Sequence, residues 1–494
     1  MSKIGFDNDK YVKMQSEHIK QRIESFGGKL YLEFGGKLFD DFHASRVLPG
    51  FQPDSKMKML LQLKEQAEIV IVISANDIEK NKVRGDLGIT YDLDVLRLMD
   101  IFREFGLYVG SVCLTHFSLQ PSAVKFQEKL ESLGIKVYRH YPIDGYPANI
   151  PLIVSDEGYG KNEFIETKRS LVVITAPGPG SGKMATCLSQ LYHEHKKGVK
   201  AGYAKFETFP VWNLPLNHPV NIAYEAATID LNDVNMIDPW HLEAYNTKAV
   251  NYNRDVEIFP VLNAMFERIF GTSPYKSPTD MGVNMAGNCI FDDKIVCDAA
   301  KQEIIRRYYE TLCNHLQGKC KADLSGKVEL LMNKLGISVA DRPVVQAALD
   351  KAKATGQPAC AISLESGKIL TGKTSTLLGS CSALLLNALK ELAGIDEDEL
   401  LIAPCVIEPV QELKTKYLGN KNPRLHSDEV LLALSISAVD SPDARCSLEQ
   451  LKNLRNCEFH STVILSQVDM SVLKKLKINV TCEPNYETKK LFRK

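Results

Sequence analysis

The residues with the clearest chemical potential form one glycine-rich stretch, Pro-Gly-Pro-Gly-Ser-Gly-Lys, at positions 177–183. An apolar run at 170–176 ends at this stretch, and a helical pattern of about 14 residues follows it. In such a turn successive backbone N–H groups point inward, and the helix N-terminus adds partial positive charge. The spacing therefore predicts a site for a nucleotide or another phosphorylated small molecule, held by Gly178, Gly180, Ser181, Gly182 and Lys183.

Two positions in this stretch depart from the nucleotide-binding pattern G-x-x-x-x-G-K-S/T. Pro177 stands where the first glycine belongs, and Met184 replaces the hydroxyl that would hold magnesium. Thr186 lies two residues further along and cannot simply replace the hydroxyl that is missing at position 184. Two hypotheses therefore stay open: an enzyme for phosphate transfer or hydrolysis, with Mg²⁺ and a nucleotide as candidate cofactors, or a non-enzymatic regulatory or assembly protein. A third interpretation is a turn that only lets strand and helix pack closely.

A second stretch, residues 367–374, satisfies the same nucleotide-binding pattern without a mismatch. Its surroundings favour a β-hairpin instead, because strand-like runs at 359–365 and 368–371 flank the turn pair Ser366-Gly367. Ile369 and Leu370 would occupy loop positions although they prefer a pleated surface. We therefore predict a hairpin at residues 359–373 and prefer the imperfect motif as the ligand site.

Other polar residues are secondary candidates. Lys37 follows the first strand-like run, and Lys161 follows an apolar run at 150–154 that we interpret as a strand. Since ligands bind at the carboxyl ends of strands in open α/β sheets, both lysines could converge with Lys183 on one anion. His241 and Arg254 lie beside aromatic residues, and Arg254 would either grip a phosphate or pair with Asp255.

The sequence gives weak support for a metal site. His193-Glu194-His195 places its two imidazoles at i and i+2, which do not share a helix face, and no His-Glu-x-x-His occurs. Acidic residues between 225 and 238 could hold magnesium or could serve as helix caps and solvated loop positions. They are Glu225, Asp230, Asp233 and Asp238.

The elements that must position these residues alternate between helix and strand. Amphipathic patterns at 9–26, 56–67, 91–105 and 121–133 are followed by near-continuous apolar runs at 29–34, 68–74, 108–114 and 136–141, and a sixth strand is expected at 199–203. We predict an α/β fold: a mostly parallel, Rossmann-like or P-loop-like three-layer domain over residues 1–326, with long loops at 205–300, and a smaller α/β domain over 327–494. The expected junction is residues 318–326.

Composition narrows the function classes. The formal net charge is −1 and no polybasic block occurs, which argues against a nucleic-acid partner. The N-terminus lacks an apolar signal region and no apolar run is long enough to span a bilayer, so no membrane partner is expected. The 12 cysteines include no Cys-x-x-Cys pair and are typical of reduced thiols in a cytoplasmic protein. A homo-oligomer stays open.

The stretches 175–194, 238–245, 251–262 and 277–284 resemble those of a bacterial family catalogued only as a domain of unknown function. The resemblance covers nearly the whole chain. It implies a cytosolic protein of two α/β domains with a P-loop-like segment, and it transfers no catalytic residues. Some members carry a label as ATP-dependent peptidases or zinc proteases, and this sequence displays no nucleophile, base or zinc ligands for that chemistry.

Overall fold

The structure is a computed structural model that describes residues 4–36, 38–39, 41–85, 87–320 and 324–488. It contains two compact units, one of residues 4–300 and one that begins at residue 301. The division falls inside a long helix, whereas the sequence predicts a junction at 318–326. Residues 321–323 of that predicted junction lie outside the described part of the chain.

Within its described residues, the unit of residues 4–300 carries a seven-stranded parallel sheet with helices between its strands. The helices are α1 (Asn8–Ser25), α2 (Phe42–Val47), α3 (Ser55–Gln62), α4 (Ala75–Glu79), α5 (Tyr91–Glu104), α6 (Pro121–Ser132), α7 (Ile150–Ile153), α8 (Lys183–Lys196), α9 (Pro219–Ala227), α10 (Pro239–Tyr245), α11 (Asn253–Phe270) and α12 (Pro278–Met281). A further helix, α13 (Asp293–Leu316), begins in this unit and continues past residue 300. The strands are β1 (Leu30–Phe34), β2 (Ala67–Ser74), β3 (Val83–Arg84), β4 (Ile89–Thr90), β5 (Tyr108–Thr115), β6 (Lys136–Arg139), β7 (Leu171–Thr175), β8 (Gly202–Phe206), β9 (Asn235–Ile237), β10 (Val250–Tyr252) and β11 (Gly282–Val283).

The order of the large sheet is β11-β8-β1-β7-β2-β5-β6. Every neighbouring pair in it is parallel, as the helix–strand alternation predicts. The late strand β7 inserts between β1 and β2, and the chain then crosses to β8 on the far side of β1. The carboxyl end of β7 is therefore a topological switch point, which is where ligands bind in open α/β sheets.

The sheet is covered on both faces, which explains its near-continuous apolar strands. All residues of β2 are buried. Val70 and Val72 belong to a core cluster with Leu188 of α8 and Phe266 of α11, while the alternate side chains of β2 point to the other face, where α4 and α5 pack. The predicted three-layer α/β arrangement is thus confirmed.

Three local predictions for this unit need correction. Residues 150–153 form the short helix α7, because Asn149 caps it and Pro151 sits in its first turn. Residues 205–300 are mostly helical rather than long loops, and their longest helix is α11. The strand predicted at 199–203 lies instead at Gly202–Phe206, in register with β1 from Leu30 onward.

The second unit is smaller and has a mixed sheet of order β13-β12-β14-β15 among its described residues. Its helices are α14 (Ser325–Lys334), α15 (Pro343–Thr355), α16 (Ser380–Ala393), α17 (Pro404–Glu412), α18 (Ser427–Ser437), α19 (Pro442–Glu449) and α20 (Gln467–Lys475), and its strands are β12 (Ala359–Ser363), β13 (Ile369–Lys373), β14 (Glu458–Ser461) and β15 (Asn479–Cys482). β12 and β13 form the predicted antiparallel hairpin. Ile369 and Leu370 therefore lie in a strand, and the perfect pattern match at 367–374 has no loop in which to hold a phosphate. None of the helices in the described ranges has both the length and the apolar character needed to cross a bilayer.

Candidate functional site

The glycine-rich stretch forms the connection between β7 and α8. β7 ends at Thr175 and α8 begins at Lys183, with Gly182 as the residue before the helix. Gly180 and Gly182 have φ angles of 75° and 86°, in the left-handed region that favours glycine. These two positions turn the chain from the end of the strand into the helix, as the sequence predicts.

A run of backbone donors at this turn is unused. No described residue accepts a hydrogen bond from the N–H groups of residues 180–185, and the first intrahelical bond runs from the N–H of Thr186 to the carbonyl of Gly182 at 2.9 Å. Helix N-termini leave such donors free, and the helix dipole adds partial positive charge there. This end of α8 can therefore hold an anion.

Side chains beneath the turn fix its shape. The Thr115 hydroxyl donates to the carbonyl of Ser181 at 2.7 Å, and the Ser181 hydroxyl donates to the carbonyl of Gly178 at 2.9 Å. A Cβ on Gly178 would lie 2.2 Å from the hydroxyl oxygen of Tyr91. Gly178 thus serves strand–helix packing, whereas a Cβ on Gly180 would meet open space.

A cavity of about 530 Å³ opens at this turn. Residues 180–186 form part of its wall, whereas Gly178 does not line it. The remaining polar lining comes from the carboxyl ends of other strands and the loops after them: Glu33, Thr115, His116, His140 and Asn162. An apolar wall is formed by Tyr141, Pro142, Ile143 and Tyr146. The volume suits a small molecule rather than an isolated ion.

Two side chains of opposite charge line the cavity. Lys183, at the first position of α8, makes no ion pair or hydrogen bond with another described residue. Glu33 accepts a hydrogen bond from the Tyr203 hydroxyl at 2.7 Å through Oε2. Its other oxygen, Oε1, accepts none from the described residues. The cavity therefore offers a ligand one unpaired ammonium, that of Lys183, and one carboxylate oxygen, Oε1 of Glu33.

Two further polar groups of the cavity are buried. The Thr186 hydroxyl is inaccessible to solvent and has no hydrogen-bond partner. It lies beside the thiol of Cys113, a weak hydrogen-bonding group whose pKa is raised by burial. Burial also lowers the pKa of His140 to about 4, although a bond to the carbonyl of Glu163 opposes the shift. His140 is therefore neutral near pH 7.

Among the secondary candidates, Lys161 and His241 do not converge with Lys183. Lys161 is the last residue of a single 3-10 turn (Tyr159–Lys161) and does not follow a strand. It does not line the cavity, and it pairs with exposed Glu157 at 2.6 Å. His241 bonds Ser277 at 3.0 Å. Lys37 lies outside the described residues.

Arg254 also lies away from the cavity. It pairs with Asp233 at 3.1 Å, whereas Asp255 pairs with Lys205. The predicted alternative of an Arg254–Asp255 pair is therefore wrong. Asp238 caps α10 and accepts from the Thr279 hydroxyl at 2.7 Å. These acidic residues thus stabilise loops and helix ends.

Within the part of the chain that the structure describes, one group of side chains has the composition of a metal site: His218, Asp293 and Cys297. Nδ1 of His218 accepts from the N–H of Val220 at 3.2 Å, so the neutral ring carries its proton on Nε2. That nitrogen faces Asp293 at 2.9 Å and the Cys297 sulfur at 3.4 Å. Because the atom that would bind a metal is the protonated one, this geometry stabilises the start of α9 and does not favour a metal.

Several cavity residues were missed by the sequence analysis. Glu33, Thr115 and His116 all lie at or just after the ends of predicted strands, so the strand-end rule applied to Lys37 would also have found them. His116 has a φ of 50°, which is uncommon for a residue other than glycine. From the sequence, Thr186 is too distant to replace the missing hydroxyl at position 184, yet both residues line the cavity.

The fold and the cavity define an α/β protein whose parallel sheet carries a ligand-sized cavity under a glycine-rich turn. The chain belongs to the family described as domain of unknown function DUF1846. The N-terminal domain of that family matches residues 4–336 and its C-terminal domain matches residues 340–492. The resemblance seen in the sequence is thus confirmed.

Two bacterial relatives match over the whole length. A UPF0371 protein of Corynebacterium urealyticum is 58% identical over 492 residues, which is 99% of each chain. A UPF0371 protein of Streptococcus sanguinis is 57% identical over 494 residues, covering 100% of both chains. These descriptions assign no activity, so a function must be argued from the site.

Proposed function

We propose that this protein binds a phosphorylated small molecule, with the phosphate at the N-terminus of α8. The observation that carries the proposal is the run of unused N–H groups at residues 180–185, which lines a ligand-sized cavity. Phosphate oxygens accept several hydrogen bonds at once, and the helix dipole favours their charge.

One side chain supports the same assignment. Lys183 has no partner among the described residues, and its ammonium would offset phosphate charge. Nucleotides and simpler phosphate esters both fit this description.

Calorimetry tests the proposal directly. Inorganic phosphate, ATP, GTP and NAD are titrated with and without Mg²⁺ into wild type and Lys183→Ala. Since hydrogen bonds to charged groups contribute about 1.5–3 kcal/mol, we expect the variant to bind roughly 10- to 100-fold more weakly. Lys129→Ala is the matched control, because Lys129 is exposed in the last turn of α6. Its substitution removes the same charge at a site away from the cavity.

Absence of binding to wild type would contradict the proposal, and so would equal losses in Lys183→Ala and Lys129→Ala. Turnover of a ligand that binds then separates an enzyme from a binding protein. Release of inorganic phosphate from that ligand, measured over hours, would identify a hydrolase.

A further inference from the structure

Glu33 occupies a distinctive position next to the glycine-rich turn. It lies in β1, the strand hydrogen-bonded to β7, with its Cα opposite Ile174 on one side and Lys205 on the other. Its carboxylate reaches the cavity from the carboxyl end of the sheet. A carboxylate on an otherwise apolar, buried strand requires a polar partner.

The structure supplies a hydrogen-bond donor for only one of the two carboxylate oxygens of Glu33. Oε2 accepts the hydrogen bond from Tyr203, whose side chain is 1% exposed and therefore holds the carboxylate in one orientation. Lys205, although opposite Glu33 in register, directs its ammonium to Asp255 and Glu207 instead. Among the described residues Oε1 has no donor, so Glu33 presents a fixed acceptor to the cavity.

A ligand that carries only phosphate would leave this acceptor unused and would face its negative charge. The cavity of about 530 Å³ also exceeds what a phosphate group fills, and its apolar wall of residues 141–143 and Tyr146 requires an organic part. Where a glycine-rich turn holds phosphate in a parallel sheet, a carboxylate at the end of a nearby strand accepts hydrogen bonds from ribose hydroxyls.

We propose that Glu33 binds hydroxyl groups of the ligand, so that the ligand class is a phosphate ester of a sugar or nucleoside. This inference rests on the proposed function and extends it from the phosphate to the organic part of the ligand. Tyr203 acts as a positioning residue, because it contacts Glu33 and not the cavity.

The test compares ligands that differ only in their hydroxyl groups. The probes are inorganic phosphate, ribose 5-phosphate against 2-deoxyribose 5-phosphate, AMP against 2′,3′-dideoxy-AMP, and phosphoethanolamine. Each is titrated into wild type and Glu33→Gln. We expect wild type to bind the hydroxylated member of at least one pair about tenfold more tightly, as for a hydrogen bond to a charged group. A difference within the ribose 5-phosphate pair identifies a sugar phosphate as the ligand class, and a difference within the AMP pair identifies a nucleotide.

In Glu33→Gln the difference in affinity between the two members of each pair should shrink to about twofold, because the charged acceptor is gone. The same variant should bind inorganic phosphate more tightly, because a negative charge has left the cavity. The role of Glu33 would be overturned if wild type bound both members of each pair equally, or if Glu33→Gln kept the same affinity difference as wild type. Tighter binding of phosphoethanolamine, lost in the variant, would assign Glu33 to an ammonium and overturn the hydroxyl assignment. Failure of wild type to bind any probe, inorganic phosphate included, would instead overturn the phosphate site itself.

Discussion

Replacement of Thr186 by valine should stabilise the protein and leave the affinity for ligand nearly unchanged. The hydroxyl is solvent-inaccessible and has no partner, while its residue lines the cavity. Valine has nearly the same shape, so the substitution removes an unsatisfied polar group without opening a cavity. Because Thr186 is 0% exposed, a ligand in the cavity does not reach its hydroxyl.

The magnitude follows from the burial of the hydroxyl. Since an unsatisfied buried hydroxyl costs about 1–3 kcal/mol, we expect the free energy of unfolding to rise by about 1–2 kcal/mol after contact with the Cys113 thiol is discounted. The affinity for phosphate should change by less than about twofold, because the hydroxyl makes no contact with the ligand.

Urea denaturation followed by tryptophan fluorescence measures the first effect. The chain has 2 tryptophans, Trp212 and Trp240, and both lie in the unit that holds the site. Thr186→Ser is the control, because it keeps the hydroxyl and loses the methyl group. We expect it to be less stable and to bind with nearly unchanged affinity. A lower urea midpoint for Thr186→Val, or a roughly tenfold loss of phosphate affinity, would refute the reasoning.

Two further predictions concern stability. Gly178→Ala should destabilise the unit of residues 4–300 by about 1–3 kcal/mol, because its Cβ would lie 2.2 Å from the Tyr91 hydroxyl oxygen. Gly180→Ala, with open space around it, should cost only about 1 kcal/mol through its φ of 75°. Equal urea midpoints for the two variants would contradict this difference. In the second unit, burial would raise the pKa of Asp469, but hydrogen bonds led by that from His426 lower it from 3.8 to about 2. Such a depressed pKa stabilises the fold above pH 4 by about 2 kcal/mol and ceases to do so as pH falls to 2. Circular dichroism should therefore show a stability gap between wild type and Asp469→Asn that closes over this range, and a constant gap would contradict the assignment.

Most of the large sheet could be predicted because its strands are apolar on both faces. The order of the strands could not, since insertion of β7 between β1 and β2 depends on contacts far apart in sequence. The helices within 205–300 were missed for a local reason. Pro219, Pro239 and Pro278 suggested loops, yet each starts a helix, where the missing N–H of proline is not needed.

The candidate site was predicted in part. Glycines and Lys183 are contiguous in sequence, so the turn at the start of α8 was visible from local pattern alone. Glu33 and His116 come from other strands and join the cavity only through the strand order. Lys161 was included because residues 150–154 resemble a buried strand, whereas Asn149 and Pro151 start a helix there.

The place of β7 in the sheet also affects how the chain folds. β1 pairs only with β7 and β8 among the described strands, and its partners begin at residues 171 and 202. During synthesis the apolar β1 therefore stays without a partner until much of this unit has left the ribosome. Pairing across such a separation closes a long loop and slows folding. Until then the unpaired strand is prone to aggregate, and a fragment that stops before residue 171 would keep this exposed strand.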